Sequence, residues 1–363
     1  MEQHVGHYTY YQNLRRFIDA DRRVQASWAR ITYEQPDMGL SRSRFVPRHL
    51  RPALAGSRQV IKALMAAPCD VAFFNTQVPA VLGGAWTYRQ PFVISTDITP
   101  LQYDAMAASY QHEPDRRGPY HWMKYHANRL ALRKATRLLP WSHWAADSLR
   151  YDYGAPADRI CVTPPGVDVG LWRAKCYDEP TAPLKVLFVG ADFRRKGGET
   201  LLRAFQALPT GSAELHIATR TPLAAAPCVH VYIGLTPNSA ELIELFRACD
   251  VFVLPSLAEA FGIVAVEASA AGLPVIATRS GGLPDIVAEG ETGFLLSPGD
   301  AAALTQCLGQ FVADRSLCVR MGHAARLRAE QHFDAHMLAN QVVGQLCEIA
   351  NKTEATAAAQ GLV

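Results

Sequence analysis

"DVFVLPSLAEAFGIVAVEASAAGLPVIAT" (residues 250–278) carries the pattern on which the fold turns. A Val/Phe/Leu run closes at Pro255, a short loop follows, and a helical stretch beginning near Phe261–Gly262 leads to a second Val/Ile run. Short apolar strands separated by a helix predict a parallel sheet covered on both faces. Only Glu267 and Ser269 are polar on that helix, so it is predicted to be buried. A carboxylate buried without a partner is costly, so Glu267 needs one: a core arginine, or the hydroxyl groups of a ligand. Glu259, just before the helix, is either an exposed loop acid or a contact for that same ligand.

The same alternation continues on both sides. "KVLFVG" (185–190) precedes a helix near 197–207, "ELHIATR" and "VHVYIG" follow, and a helix near 239–248 leads into the opening stretch. A helix near 282–289 and "GFLLS" come after it. Earlier in the chain, "DVAFFN" (70–75), "PFVIST" (91–96), "TRLLP" (136–140) and "ICVTP" (160–164) are spaced by helical stretches. The expectation is α/β, with two doubly wound Rossmann-like domains facing across a cleft and ligands beyond the carboxyl ends of the strands. The domains are expected at 1–166 and 185–335, with a linker over 167–184 and a C-terminal helix and tail over 336–363 that packs back on the first domain. The final "NKTEATAAAQGLV" is expected to fray. Only "MEQHV" precedes the first glycine and helix pattern, so the first strand is short or the start lies upstream.

Composition sets outer limits. The 363 residues are 49% hydrophobic and 19% charged, which fits globular cores rather than disorder. No apolar run is long enough for a spanning helix, and the start lacks a signal-peptide pattern. Eight cysteines are scattered without a C-x-x-C pair, several in apolar runs, which suits reduced core residues and a cytoplasmic setting. The net charge of +3 divides into +7 over residues 1–170 and −4 over 171–363. A basic first half points to an anionic partner or simply to Arg-rich solvated faces.

"LFVGADFRRKGGETLLRAF" (187–205) puts Arg194, Arg195 and Lys196 between a strand ending at Gly190 and a helix starting near Gly198. Cations beside a helix N-terminus make an anion site suited to phosphate, or else an exposed basic loop. The stretch is neither a P-loop nor G-x-G-x-x-G. The first N–H groups of the helix after Phe261 could face the same phosphate.

The E-x7-E spacing of Glu259 and Glu267, followed by "AAGLPVIATRSGGLPDIVAEGETGFLLSPGD", resembles the retaining GT-B glycosyltransferases of family 4. "LFVGADFRRKGG…LLRAF" and "RICVTPPGVD" add to the resemblance, which is strong over about residues 135–315. It implies transfer of a sugar from a nucleotide diphosphate sugar, UDP- or GDP-linked, to a hydroxyl of a glycan, lipid-linked or small-molecule acceptor. It implies no metal and no nucleic-acid partner. Glu267 is then expected to hold ribose hydroxyls and Glu259 the donor sugar, with the backbone of Phe261, Gly262 and Ile263 near the pyrophosphate. Lys196 matches the family's phosphate-binding lysine. Its arginine is replaced by Ala191, which leaves Arg195 or Arg194 for that role. The glycine loop beneath the phosphates falls at Gly6. The family's His-Asp pair corresponds to Thr96-Asp97, so a backbone carbonyl or Asp97, or else His4 or His7, is left to contact the reacting sugar. These departures keep open an inactive nucleotide-sugar-binding paralogue. Two domains hinged between 166 and 185 would close to exclude water.

Two further stretches imitate sites. "DAD" (19–21) resembles a D-x-D metal motif but ends a basic helix, and the two histidines of "HWMKYH" (121–126) fall on different helix faces. The basic, aromatic segment 116–137 is either a solvated face or a peripheral membrane contact.

Overall fold

The structure, a computed structural model, describes residues 5–33, 51–114, 118–174 and 183–359. In chain order its first elements are α1 (Val5–Ile18), α2 (Arg51–Ala66), β1 (Ala72–Phe74), α3 (Gln77–Leu82) and β2 (Phe92–Thr96). Then come α4 (Pro100–Ala105), α5 (Ala107–Tyr110), α6 (Pro119–Lys134), β3 (Arg137–Pro140) and α7 (His143–Tyr151). The chain continues through β4 (Leu184–Val189), α8 (Gly198–Gln206), β5 (Ala213–Ala218), β6 (Val229–Tyr232), α9 (Ala240–Ala248) and β7 (Val251–Leu254). The remainder is α10 (Ile263–Ala270), β8 (Val275–Thr278), α11 (Leu283–Ile286), β9 (Gly293–Leu296), α12 (Ala301–Ala313), α13 (Arg315–His332) and α14 (Ala335–Ala359). Two compact units emerge: Met1–Ala105 with Glu113–Pro165 and His336–Val363, and Met106–His112 with Gly166–Ala335.

In unit 1 the described strands form a parallel sheet in the order β1-β2-β3, with every residue of central β2 buried. Phe74, Phe92, Ile94, Leu132, Leu138 and Leu149 are among the residues of its core. Two expectations fail here. The chain forms helix from Val5 onward, because Tyr10, Leu14 and Ile18 recur at helical spacing and are all buried; the expected strand "MEQHV" is therefore not formed at Val5, and its first four residues lie outside the described ones. "ICVTP" is not a full strand either. Cys161 N donates to Leu138 O (2.9 Å) and Thr163 N to Pro140 O (2.8 Å), after which Pro164 and Pro165 have no N–H to offer. The C-terminal stretch expected to fray is helical through Ala359, as its alanines favour.

Unit 2 carries a six-stranded parallel sheet in the order β6-β5-β4-β7-β8-β9. Val186 and Phe188 of β4, Leu215 and Ile217 of β5 and Val253 of β7 join Leu201 of α8 and Leu304 and Phe311 of α12 in one core. The chain leaves β4 toward β5 on one side and returns to β7 on the other. The loops after β4 and β7 therefore diverge at a topological switch point, where open α/β sheets bind ligands. The start of the expected linker is packed, not free: Trp172 is fully buried, sits edge-on to Phe246 at 5.1 Å, and donates its indole N–H to Asn238 Oδ1 (3.1 Å). Residues 175–182 of that linker lie outside the described residues.

Candidate functional site

Three loops meet at the carboxyl ends of β4, β7 and β8. Between the first two, Gly197 takes a left-handed conformation (φ 79°), and a Cβ there would fall 1.8 Å from Pro255 O. Only glycine lets the basic loop come this close. Leu257 N donates to Arg195 O (2.9 Å), completing that contact. On the other side Gly281 (φ 54°) plays the same part, because a Cβ there would fall 1.8 Å from Glu259 O. Gly282 N donates to Ala260 O (2.9 Å), Glu259 N to Ser280 Oγ (3.1 Å), and Thr278 Oγ1 to Ser256 O (2.7 Å). Backbone contacts thus clamp the segment from Pro255 to Gly262 between its neighbours.

Within this clamp the charged side chains find each other. Lys196 Nζ donates to Glu259 Oε2, and Ser256 Oγ donates to the same carboxylate oxygen (3.3 Å). Both members of the ion pair are largely buried, so each offsets the cost of burying the other. Arg195 donates to Ala258 O (3.1 Å), lies 3.4 Å from the Asp192 carboxylate, and stacks over the Tyr110 ring at 4.7 Å. Its neighbour Arg194 is exposed. The structure therefore brings Arg195, Lys196 and Glu259 together and leaves the Arg194 side chain outside.

Helix α10 opens at Gly262 (φ 98°) with no side-chain cap, so its first N–H groups, at Ile263 and Val264, have no intrahelical acceptor. Phe261 turns its ring into the core, edge-on to Phe333 at 6.5 Å, and leaves its backbone to the loop. Glu267, one turn further along, is 5% exposed. Its carboxyl has no hydrogen-bond or ion-pair partner among the described residues, and burial pushes its pKa from 4.5 up to about 7. Arg326 of α13 donates to the carbonyls of Ala270, Trp172 and Val169 (the last at 3.0 Å) and not to Glu267. The buried acid is left for something else.

Comparison with known proteins decides the family. Residues 175–328 match the family model described as Glycosyl transferases group 1, and residues 19–171 match Glycosyltransferase Family 4. The chain belongs to the group 1 glycosyltransferase family and has the GT-B fold. The D-inositol 3-phosphate glycosyltransferase of Pseudarthrobacter chlorophenolicus is 36% identical over 220 residues, covering 54% of this chain and 52% of that protein. The chain thus spans about half the length of the curated relatives it matches. Among solved structures, sucrose-phosphate synthase from Thermosynechococcus elongatus matches with a TM-score of 0.69 at 23% identity, covering 83% of this chain and 79% of that one. Anabaena HepE, solved in complex with UDP-glucose, matches with a TM-score of 0.63 at 21% identity over 80% of this chain and 82% of that one. These two likenesses speak to the GT-B fold.

Unit 1 of this group 1 glycosyltransferase holds the other expected residues. Thr96 is fully buried, donating to Gln77 Oε1 (2.8 Å) and Ile98 O (2.9 Å). Asp97 lies 3.5 Å from His7 Nε2, and the His7 ring packs on Trp141 with centroids 5.0 Å apart. A histidine and an aspartate thus stand side by side, the histidine arriving from α1 rather than from the preceding residue. Sequence spacing could not show this pair; a helix running through His7 was the missing signal. Gly6, expected in a loop, belongs to α1. His4 lies outside the described residues. The D-x-D imitation is spoken for: Asp19 is bonded to Arg15 and Trp28, and Asp21 to Arg23. No described helix is long and apolar enough to cross a membrane.

Proposed function

We propose that the protein is a retaining, metal-independent glycosyltransferase that moves a sugar from a nucleotide diphosphate sugar, UDP- or GDP-linked, to a hydroxyl of a glycan, lipid-linked or small-molecule acceptor. The observation that carries this reading is Glu267, a buried carboxyl with no partner among the described residues, one turn inside a helix whose leading N–H groups are uncapped. Two adjacent ribose hydroxyls would supply the missing hydrogen bonds. The pyrophosphate would then lie against the start of α10, within reach of Lys196 and Arg195.

As the glycosidic bond stretches, negative charge builds on the leaving phosphate. Lys196, Arg195 and the α10 N–H groups are preorganised donors, each worth roughly 3 kcal/mol of the barrier in comparable sites. In this scheme a cation does the work that a metal does elsewhere. Glu259, released from Lys196 by the entering phosphate, accepts a hydroxyl of the donor sugar. Asp97, beside His7, is the polar group proposed to contact the reacting sugar, and neither it nor Glu259 is assigned as a covalent nucleophile.

For the acceptor side, an open groove along α1 is lined by Arg16 and Arg30 beside Tyr8 and Tyr11, with Arg15 paired to Asp19 in the same lining, and its two other arginines suit an anionic group. Helix α6 exposes Tyr120, Trp122, Met123 and Leu130 on a basic element, the composition of a peripheral membrane contact. Co-sedimentation with anionic vesicles, lost on replacing Trp122 and Met123 by serine, tests that contact.

The donor reading is tested by the melting temperature of the protein against UDP-, GDP-, ADP- and dTDP-sugars, with UDP-glucose first because the similar fold of HepE holds it. A ligand at a hundred times its dissociation constant adds about 2.7 kcal/mol. One base series should stabilise the wild type and not Glu267→Ala. Stabilisation by none, or equal stabilisation of the variant, refutes the assignment.

A further inference from the structure

Among the described residues, one group of three side chains able to ligate a metal lies outside these loops. Glu214 and His216 of β5 and His230 of β6 each offer a donor atom, all within 4.8 Å of one another. Strand periodicity and register produce the cluster. Glu214 and His216 are two residues apart and share a face, and the parallel pairing sets His230 beside His216. The two imidazoles stack with centroids 4.8 Å apart and 23° between their planes. Of these strands β6 is at the edge of the sheet.

The geometry differs from that of a satisfied polar patch. His216 is 9% exposed, and its Nε2 has no hydrogen-bond partner among the described residues. The Glu214 carboxylate stands 3.8 Å from that nitrogen, too far for a hydrogen bond. Two donors on one tetrahedral ion with bonds near 2.0–2.2 Å are separated by roughly 3.4 Å, so a small side-chain movement would close the gap. The other ring nitrogen, Nδ1, is 3.0 Å from the Tyr232 hydroxyl. With Nδ1–H donating to that oxygen, Nε2 keeps its lone pair, the arrangement by which outer partners orient a ligating histidine.

We propose that Glu214, His216 and His230 bind one divalent transition-metal ion, zinc being the best match, which clips edge strand β6 to β5. Two imidazoles and a carboxylate form a borderline donor set that suits zinc better than the all-oxygen ions calcium and magnesium. Three protein ligands leave a fourth position for water. The ion has no part in sugar transfer, because no ligand comes from the loops after β4, β7 or β8. Its loss therefore leaves nucleotide binding in place.

The test uses the whole chain, stripped with a chelator and titrated with Co2+ followed by visible absorption and with Zn2+ by calorimetry. The expected result is one equivalent of Co2+ with d–d bands, displaced by Zn2+, and a melting temperature raised by Zn2+ and restored by chelator. His230→Ala, at an exposed position, and Glu214→Gln should each weaken binding by well over tenfold, and Tyr232→Phe by about tenfold. Cys228→Ser, removing the exposed thiol two residues before His230, should leave binding unchanged. Absence of Co2+ bands and of micromolar Zn2+ binding overturns the proposal. Binding that survives His230→Ala at full affinity, or that disappears in Cys228→Ser, overturns it equally.

Discussion

Replacing Glu267 by glutamine should make the ligand-free protein more stable above pH 7 while removing its response to nucleotide. The buried carboxyl titrates near 7 in the folded chain, against 4.5 when unconstrained. Below the lower value it is protonated in both states and costs nothing. Between the two, the unfolded chain releases its proton while the folded one keeps it, so stability falls as pH rises. Above pH 7 the penalty levels off at about 3 kcal/mol, taking about 1.4 kcal/mol for each pKa unit. Glutamine keeps the shape without the charge, but its buried amide also lacks partners, so a gain of about 1–2 kcal/mol at pH 8 is the working figure. That corresponds to a rise of roughly 2–8 °C in the transition of unit 2. The assay is thermal unfolding of wild type and Glu267→Gln at pH 5 and pH 8, with and without nucleotide-sugar. The variant should gain at pH 8 and little at pH 5. A variant destabilised equally at both values would mean that Glu267 is held by the protein, and the argument that a ligand holds it would fail.

Lys196→Ala should lower sugar transfer by two to three orders of magnitude, as expected when one charge-stabilising donor is removed; adding Glu259→Gln should restore part of the lost stability, because the carboxylate is no longer left alone, and a double-mutant cycle in denaturant measures that coupling. Gly281→Ala puts a methyl against Glu259 O and should cost about 1–3 kcal/mol and abolish nucleotide binding without touching any charged group, read by calorimetry. Trp172→Ala should cost about 3–5 kcal/mol in chemical denaturation despite lying at the edge of what looks like a linker; a loss within 1 kcal/mol or so would refute its anchoring role.

The alternation of apolar runs and helices made both sheets legible, since β4, β7, β8 and β9 of unit 2 are short runs rich in Val, Ile, Leu and Phe whose position needs no knowledge of their neighbours. Helix α10 was legible for the same reason, being apolar on every side. Pairings between distant segments were not. Lys196 and Glu259 are 63 positions apart, and only the close approach permitted by Gly197 joins their loops. His7 and Asp97 need α1 to be a helix, yet a glycine beside His7 reads as a loop. Glu214 and His216 alternate within one strand and so share a face, but their meeting with His230 depends on a parallel register that composition does not encode. Trp172 was hidden by the prolines and charges around it, because a single large ring can anchor a segment that has no periodicity.

The main segment of unit 2, Gly166–Ala335, begins and ends at one place. Val167 N donates to Phe333 O (2.9 Å) and Ala335 N to Val167 O (2.9 Å), and Gly166 lies so close to Ala335 that a Cβ would fall 2.5 Å from its Cα. The two ends of the segment from Gly166 to Ala335 are thus bonded to each other before the chain passes on. Such a segment is portable: cut out at these residues, it would have adjacent termini and an intact six-stranded sheet, losing from its unit only the short stretch that carries Tyr110. On the proposed reading, with the donor held by unit 2, a different first half could be joined at the same doorway without redesigning the loops around Lys196, Glu259 and Glu267.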